Sequence, residues 1–94
     1  MTPLIDKLVK YLHDNKELWI PKGELLLKEW RDDKGVRYMA DTVSRKLREA
    51  EELKRIAVKY EGRKKTFYRW LPYERRDSYI PTGERKTEAL FTSP

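Results

Sequence analysis

Cysteine is absent from this 94-residue chain, and histidine occurs only once, at position 13. Without thiols the chain forms no disulfide and no thiolate metal site, and a single imidazole excludes zinc sites built from several histidines. No apolar run exceeds three residues, whereas a membrane-spanning helix needs about 20. The start of the chain also lacks the basic stretch and long apolar segment of a signal peptide. We therefore expect a soluble, cytoplasmic protein, nucleoid-associated if its source is bacterial, archaeal or phage.

A chain of this length has room for one domain. Charged residues make up 40% of it, against about 25% in an ordinary globular protein, which predicts a heavily solvated surface. Regular apolar patterning ends near Pro72. We therefore expect a folded domain over residues 1–72 and a tail over residues 73–94 that is flexible, straps across the domain or binds a partner.

The net charge of +6 is confined to one segment of the chain. Residues 37–72 carry 11 Lys or Arg against 5 Asp or Glu, whereas residues 1–36 carry 7 of each sign and residues 73–94 carry 4 of each. Such a local basic excess suits a polyanionic partner, and double-stranded DNA is the first expectation.

Apolar spacing divides the first 72 residues into helices and strands. Thr2 followed by Pro3 is typical of a helix start, with the threonine hydroxyl as the cap. The predicted elements are, in order, a helix to Asp14, a short strand at 18–20, a helix at 23–30, a polar loop at 31–37, a helix at 39–53, and strands at 56–60 and 66–71. The residues between the last two strands include Gly62, so we expect an antiparallel hairpin.

The third predicted helix has an apolar face and a charged face. The apolar face carries Ala40, Val43, Leu47 and Ala50. The opposite face carries Asp41, Arg45, Arg48 and Glu52, flanked by Thr42, Ser44 and Glu49. A helix of this kind packs its apolar face on a core and presents arginines to the solvent.

Residues 42–49, TVSRKLRE, followed by two glutamates and a strand that opens at Ile56, resemble the recognition helix and wing of winged helix-turn-helix transcriptional regulators. The likeness is best over residues 40–71. It implies an α+β fold of three helices and a small antiparallel sheet, in the order helix, strand, helix, helix, strand, wing, strand. Ala50 and Lys54 depart from the pattern, because such families often carry a large aliphatic residue and a glycine there. The loop at 31–37 is also longer than a tight turn.

The resemblance implies that the third helix docks in the major groove while the hairpin touches the DNA backbone or the minor groove. The groove-facing positions of the helix would be Asp41, Thr42, Ser44, Arg45 and Arg48. The wing tip would be Arg63, Lys64 and Lys65, whose charges suit phosphates. Arg37, which precedes the helix, is a further candidate for a phosphate contact.

Each candidate also has an ordinary structural explanation. Arg45 and Arg48 are spaced to form ion pairs with glutamates four residues later on a solvated helix face. The basic hairpin tip equally suits a solubilising turn, and Thr42 and Ser44 suit helix-start chemistry. The three tryptophans are expected in the core or at interfaces. Phe67 and Tyr68 alternate on the last strand, so one of them must face outward, and an outward Tyr68 would contact a sugar or base.

Sequence-specific binding of double-stranded DNA by a small transcription regulator is the function that we predict. The alternative is a winged-helix adaptor, whose basic face meets an acidic protein in a replication or transcription assembly. RNA or single-stranded nucleic acid would favour exposed aromatic rings, which the positions of Tyr68 and Trp70 test. No nucleophile with a base and an orienting group is visible, so we expect neither an enzyme nor a cofactor or metal. A homodimer or protein partner would bind through the first helix or the tail.

Overall fold

The computed structural model describes residues 2–62 and 65–82, which form a small α+β domain. The helices in this part are α1 (Leu4–Asp14), α2 (Lys22–Leu27), α3 (Ala40–Glu52) and a short α4 (Tyr73–Arg76). The strands are β1 (Ile20–Pro21), β2 (Ile56–Glu61) and β3 (Lys65–Trp70). They form one antiparallel sheet in the order β1-β3-β2. None of these helices is long and apolar enough to cross a membrane.

The first three helices lie where the apolar spacing predicts them, but some ends differ. Pro3 takes the N-cap position of α1 and no side chain caps that helix, so the predicted cap by Thr2 is wrong. The helix α2 ends at Leu27 instead of reaching Trp30. The indole N–H of Trp30 instead donates to the carbonyl oxygen of Leu25 at 2.8 Å, which satisfies a backbone group near the helix end.

The core lies between the helices and one face of the sheet, whose central strand is β3. Tyr68 on β3 lies opposite Ile20 on one side and Val58 on the other. The first strand is therefore Ile20–Pro21, later than the predicted 18–20, because these two residues pair with β3. The buried core residues are Leu4, Leu8, Val9, Leu12, Ile20, Leu25, Trp30, Val43, Leu47, Ala50, Ile56, Val58 and Tyr68.

The end of α3 carries backbone strain at a residue that is not glycine. Lys54 has a positive φ of 59°. Its N–H donates to the carbonyl oxygen of Glu51 at 2.9 Å, and the N–H of Arg55 donates to that of Ala50 at 3.0 Å. These two hydrogen bonds form a Schellman motif, in which a left-handed residue is needed and glycine is usual. The backbone of Lys54 therefore adopts a conformation that a Cβ atom disfavours.

The chain after β3 returns to the domain. α4 follows Pro72, and beyond it the Tyr79 hydroxyl accepts a hydrogen bond of 3.0 Å from the backbone N–H of Val58 on β2. Because β2 is an edge strand of the sheet, this contact covers a backbone donor that an open edge would expose. We call residues 79–82 the strap. Residues 83–94 of the predicted tail lie outside the described residues, and the division near Pro72 stays a prediction.

Replacing Lys54 with glycine should stabilise the domain by about 1 kcal/mol, because glycine adopts a positive φ without a Cβ penalty. Lys54→Ala is the matched control, since it removes the charge and the long side chain but keeps the Cβ atom. Urea denaturation of the three proteins measures the free energy of unfolding. An alanine variant as stable as the glycine variant would show that the gain does not come from the backbone.

Candidate nucleic-acid interface

Burial of the apolar stripe of α3 determines which side chains of this helix face the solvent. Val43, Leu47 and Ala50 are buried, and successive residues of a helix are about 100° apart. Asp41, Arg45 and Arg48 are consequently exposed, while Thr42 and Ser44 are half-buried. Ala40, predicted on the apolar face, is exposed instead because it is the first residue of the helix. The predicted outward face of α3 is otherwise confirmed.

The ion pairs that would explain Arg45 and Arg48 as ordinary surface residues are not formed. Glu49 instead pairs with Lys46, with 3.0 Å between the Nζ and Oε2 atoms. Within residues 2–62 and 65–82, neither arginine lies within ion-pair distance of a carboxylate. Both guanidinium groups are therefore available to an anionic ligand.

A cleft of about 330 Å³ separates α3 from the β2–β3 hairpin. Ser44 and Arg48 line it from α3, and Tyr60 and Thr66 line it from facing positions on the two strands. Lys22, the first residue of α2, also lines the cleft. Helix and hairpin thus share one polar surface, with a guanidinium, an ammonium, several hydroxyl groups and the carboxylates of Glu51 and Glu52 within it.

Three of the residues that line the cleft, Lys22, Tyr60 and Thr66, were not among the contact residues predicted from the sequence. Tyr60 and Thr66 face each other in the hairpin register, so the predicted hairpin carried a signal for them as a pair. Lys22 carried none, because its position depends on how α2 packs against α3 and the sheet.

Of the predicted contact residues that the structure describes, only Ser44 and Arg48 line this cleft. Arg37 is exposed at the end of the loop, where it forms an isolated bridge with Arg31. Lys65 is exposed at the start of β3. Arg63 and Lys64, the other two residues of the predicted wing tip, lie outside the described residues.

Tyr68 and Trp70 do not form a stacking platform on this surface. Tyr68 is 6% exposed, so of the two alternating residues Phe67 and Tyr68 it is Tyr68 that faces the core. Trp70 packs against the core and meets the ring of His13 edge-on, with 4.6 Å between centroids. Trp19 is half-buried, and the ammonium of Lys59 lies 4.8 Å from its ring centroid.

Glu51 is the one acidic side chain buried in the described part of the chain, at 3% exposed. Its Oε2 atom accepts hydrogen bonds from the Tyr79 hydroxyl, from the backbone N–H of Thr82 at 3.0 Å and from the Thr82 hydroxyl at 2.6 Å. The strap therefore binds α3 through this carboxylate. Glu51 lies four residues after Leu47 and eight after Val43, so the spacing of the apolar stripe carried a signal for its burial.

Burial raises the pKa of Tyr68 to about 12. The neighbouring Tyr60 and Glu51 contribute to this rise, and Arg48 opposes it. Tyr68 and these three neighbours all line the cleft. The tyrosine hydroxyl consequently remains neutral far above physiological pH.

No protein-family model, curated protein or solved structure matches the chain. Among the described residues there is also no group of His, Cys, Asp and Glu side chains that could hold a metal ion. A function for this chain therefore follows from the geometry and charge of the surface described above.

Alkaline pH should destabilise the domain through Tyr68. An unfolded tyrosine ionises near pH 10, so between about pH 10 and 12 the unfolded chain has lost a proton that the folded chain keeps. The free energy of unfolding therefore falls as the pH rises through this window, by up to about 2–3 kcal/mol from this group. Tyr68→Phe should remove that part of the loss.

Chemical denaturation of wild type and Tyr68→Phe at a series of pH values measures this difference. The stability difference between the two proteins should be constant up to about pH 9 and should shift in favour of the variant above pH 10. A difference that stays constant up to pH 12 would contradict the raised pKa.

Proposed function

We propose that this protein binds double-stranded DNA as a winged helix-turn-helix domain and acts as a small transcription regulator. The observation that carries the proposal is that Arg45 and Arg48, on the solvent face of α3, form no ion pair with a carboxylate of the described residues. They lie on a helix that shares a polar cleft with a basic hairpin. α3 enters the major groove, and the hairpin contacts the backbone beside it.

The element order and sheet topology support the winged-helix assignment. The strand β1 lies between α1 and α2 in sequence and joins the sheet beside β3, while β2 and β3 extend as a hairpin after α3. This arrangement is compatible with a wing that follows a recognition helix. Helix α1 packs against α3 and β3, and this packing holds α3 in place beside the hairpin.

The side chains on α3 have the chemistry for reading base edges. An arginine fork binds the O6 and N7 atoms of guanine, and a carboxylate such as Asp41 accepts from the amino group of cytosine. The hydroxyl groups of Thr42 and Ser44 suit phosphate oxygens. Arg37, Lys65 and the hairpin residues Arg63 and Lys64 supply positive charge for the backbone. A single domain of this size reads a short site, so useful specificity needs a dimer or a larger complex.

Arg45→Ala and Arg48→Ala should each weaken binding to the preferred duplex by about 1–3 kcal/mol and relax base preference at one position. The preferred duplex comes from selection with a random library, and fluorescence anisotropy then gives the affinities. Lys10→Ala is a matched control, because Lys10 is an exposed cation on α1 that pairs with Asp14. Full-strength, sequence-specific binding by the double arginine variant would contradict the proposed role of α3.

Lys65→Ala should weaken binding to every duplex alike, because a phosphate contact carries no sequence information. The slope of log affinity against log salt concentration should become shallower by about one unit. Titrations of two unrelated duplexes at four salt concentrations measure both effects. Loss of affinity for only one of the two sequences would instead assign Lys65 to base reading.

A protein-interaction adaptor is the second candidate, and a groove elsewhere on the sheet favours it. Trp19, Ala57, Leu71 and Arg75 line this groove. A tryptophan and an arginine beside an apolar floor are typical of protein-binding surfaces. Gel shifts with random duplex at low salt separate the two candidates, because an adaptor shows at most weak and easily competed binding.

A further inference from the structure

The strap places three hydrogen-bond donors on a single carboxylate oxygen of α3. The Tyr79 hydroxyl, the Thr82 hydroxyl and the Thr82 N–H all bind Oε2 of Glu51. A buried carboxylate that loses its donors is strongly destabilised and needs another partner. The strap therefore determines the position of this carboxylate within the domain.

Arg48 is a cation well placed to become that partner. It precedes Glu51 by three residues on α3, and side chains at this spacing are neighbours on a helix surface. Both line the cleft between α3 and the hairpin, as does Thr82 from the strap. In the described residues Arg48 forms no ion pair, and Glu51 is bound by the strap instead.

We propose that the strap keeps Arg48 available for DNA by holding the Glu51 carboxylate on Tyr79 and Thr82. When the strap is weakened, Glu51 pairs with Arg48, and its charge also repels a phosphate that approaches the cleft. The segment 79–82 is thus a positioning element for the recognition helix. This inference rests on the proposed function for its effect on DNA, but the pairing of Arg48 is measurable without DNA.

Glu52 supplies an internal comparison for this inference. It also lines the cleft and lies four residues after Arg48, yet it is exposed and does not pair with it. Water solvates an exposed carboxylate. Glu51 stays covered as long as the strap keeps its apolar volume, and a Coulombic attraction is much stronger at such a covered site. Release of Glu51 from the strap should therefore change the pairing of Arg48, whereas neutralisation of Glu52 should leave that pairing unchanged.

The experiment uses four full-length proteins. They are wild type, a strap variant carrying Tyr79→Phe and Thr82→Val, the strap variant with Glu51→Gln added, and the strap variant with Glu52→Gln added as the matched control. Phenylalanine and valine keep the apolar volume while they remove two of the three donors. Thermal unfolding confirms that each protein is folded, and Tyr79→Phe alone replaces the double change if the strap variant does not fold.

The first readout is the side-chain Nε–Hε signal of Arg48 in nitrogen-15 NMR spectra without DNA. In the strap variant this signal should shift and its exchange with water should slow, because the guanidinium becomes paired. Adding Glu51→Gln should return the signal to its wild-type position, and adding Glu52→Gln should not. An Arg48 signal that is the same in wild type and the strap variant would overturn the inference, whatever the outcome with DNA.

The second readout is affinity for duplex DNA at a fixed salt concentration. The strap variant should bind about 3–10-fold more weakly than wild type, and Glu51→Gln should restore the loss. A wild type that binds no duplex at low salt would refute the proposed function, while the NMR readout still decides the pairing of Arg48. A loss of affinity that Glu51→Gln fails to restore would show that the strap acts by another route and would overturn this inference.

Discussion

Packing of the apolar stripe of α3 is the constraint on which the rest of the surface depends. Val43, Leu47 and Ala50 are 1% exposed or less, and burial of an aliphatic side chain contributes about 1.5–3 kcal/mol. A rotation of α3 that buried Arg45 or Arg48 would expose these three apolar side chains to water. The core therefore sets the direction of the arginines. Among the described residues no carboxylate pairs with them, which leaves their charge for a ligand.

The sheet and the strap extend this arrangement on either side of α3. Strand β3 lies between β1 and β2, so the hairpin emerges beside α3 and the two form opposite walls of one cleft. The strap then crosses the edge of β2, where Tyr79 bonds both the backbone of Val58 and the carboxylate of Glu51. One tyrosine hydroxyl thus covers a strand edge and holds an acidic group of the candidate recognition helix.

Much of the fold could be predicted because its signals are local. The spacing of Val43, Leu47 and Ala50 indicated α3 and its outward arginines, and Gly62 between two β-rich segments indicated the hairpin. The strap stayed one of several alternatives for the tail, because its hydrogen bonds to Glu51 join residues about 30 positions apart, and no local pattern reports such contacts. Lys22 joined the cleft for a similar reason. Tyr68 faced inward because its neighbours in the sheet, Ile20 and Val58, are themselves buried.

The most direct test of the account is a nitrogen-15 NMR titration of the protein with a short random duplex at low salt. The account predicts that backbone signals of residues 41–48, Tyr60, Thr66 and Lys65 shift together as DNA is added. Signals of Trp19, Ala57 and Leu71 in the groove elsewhere on the sheet should stay in place. Shifts concentrated in that groove, or no shifts at all, would contradict the assignment of α3 and the hairpin as a DNA-binding surface.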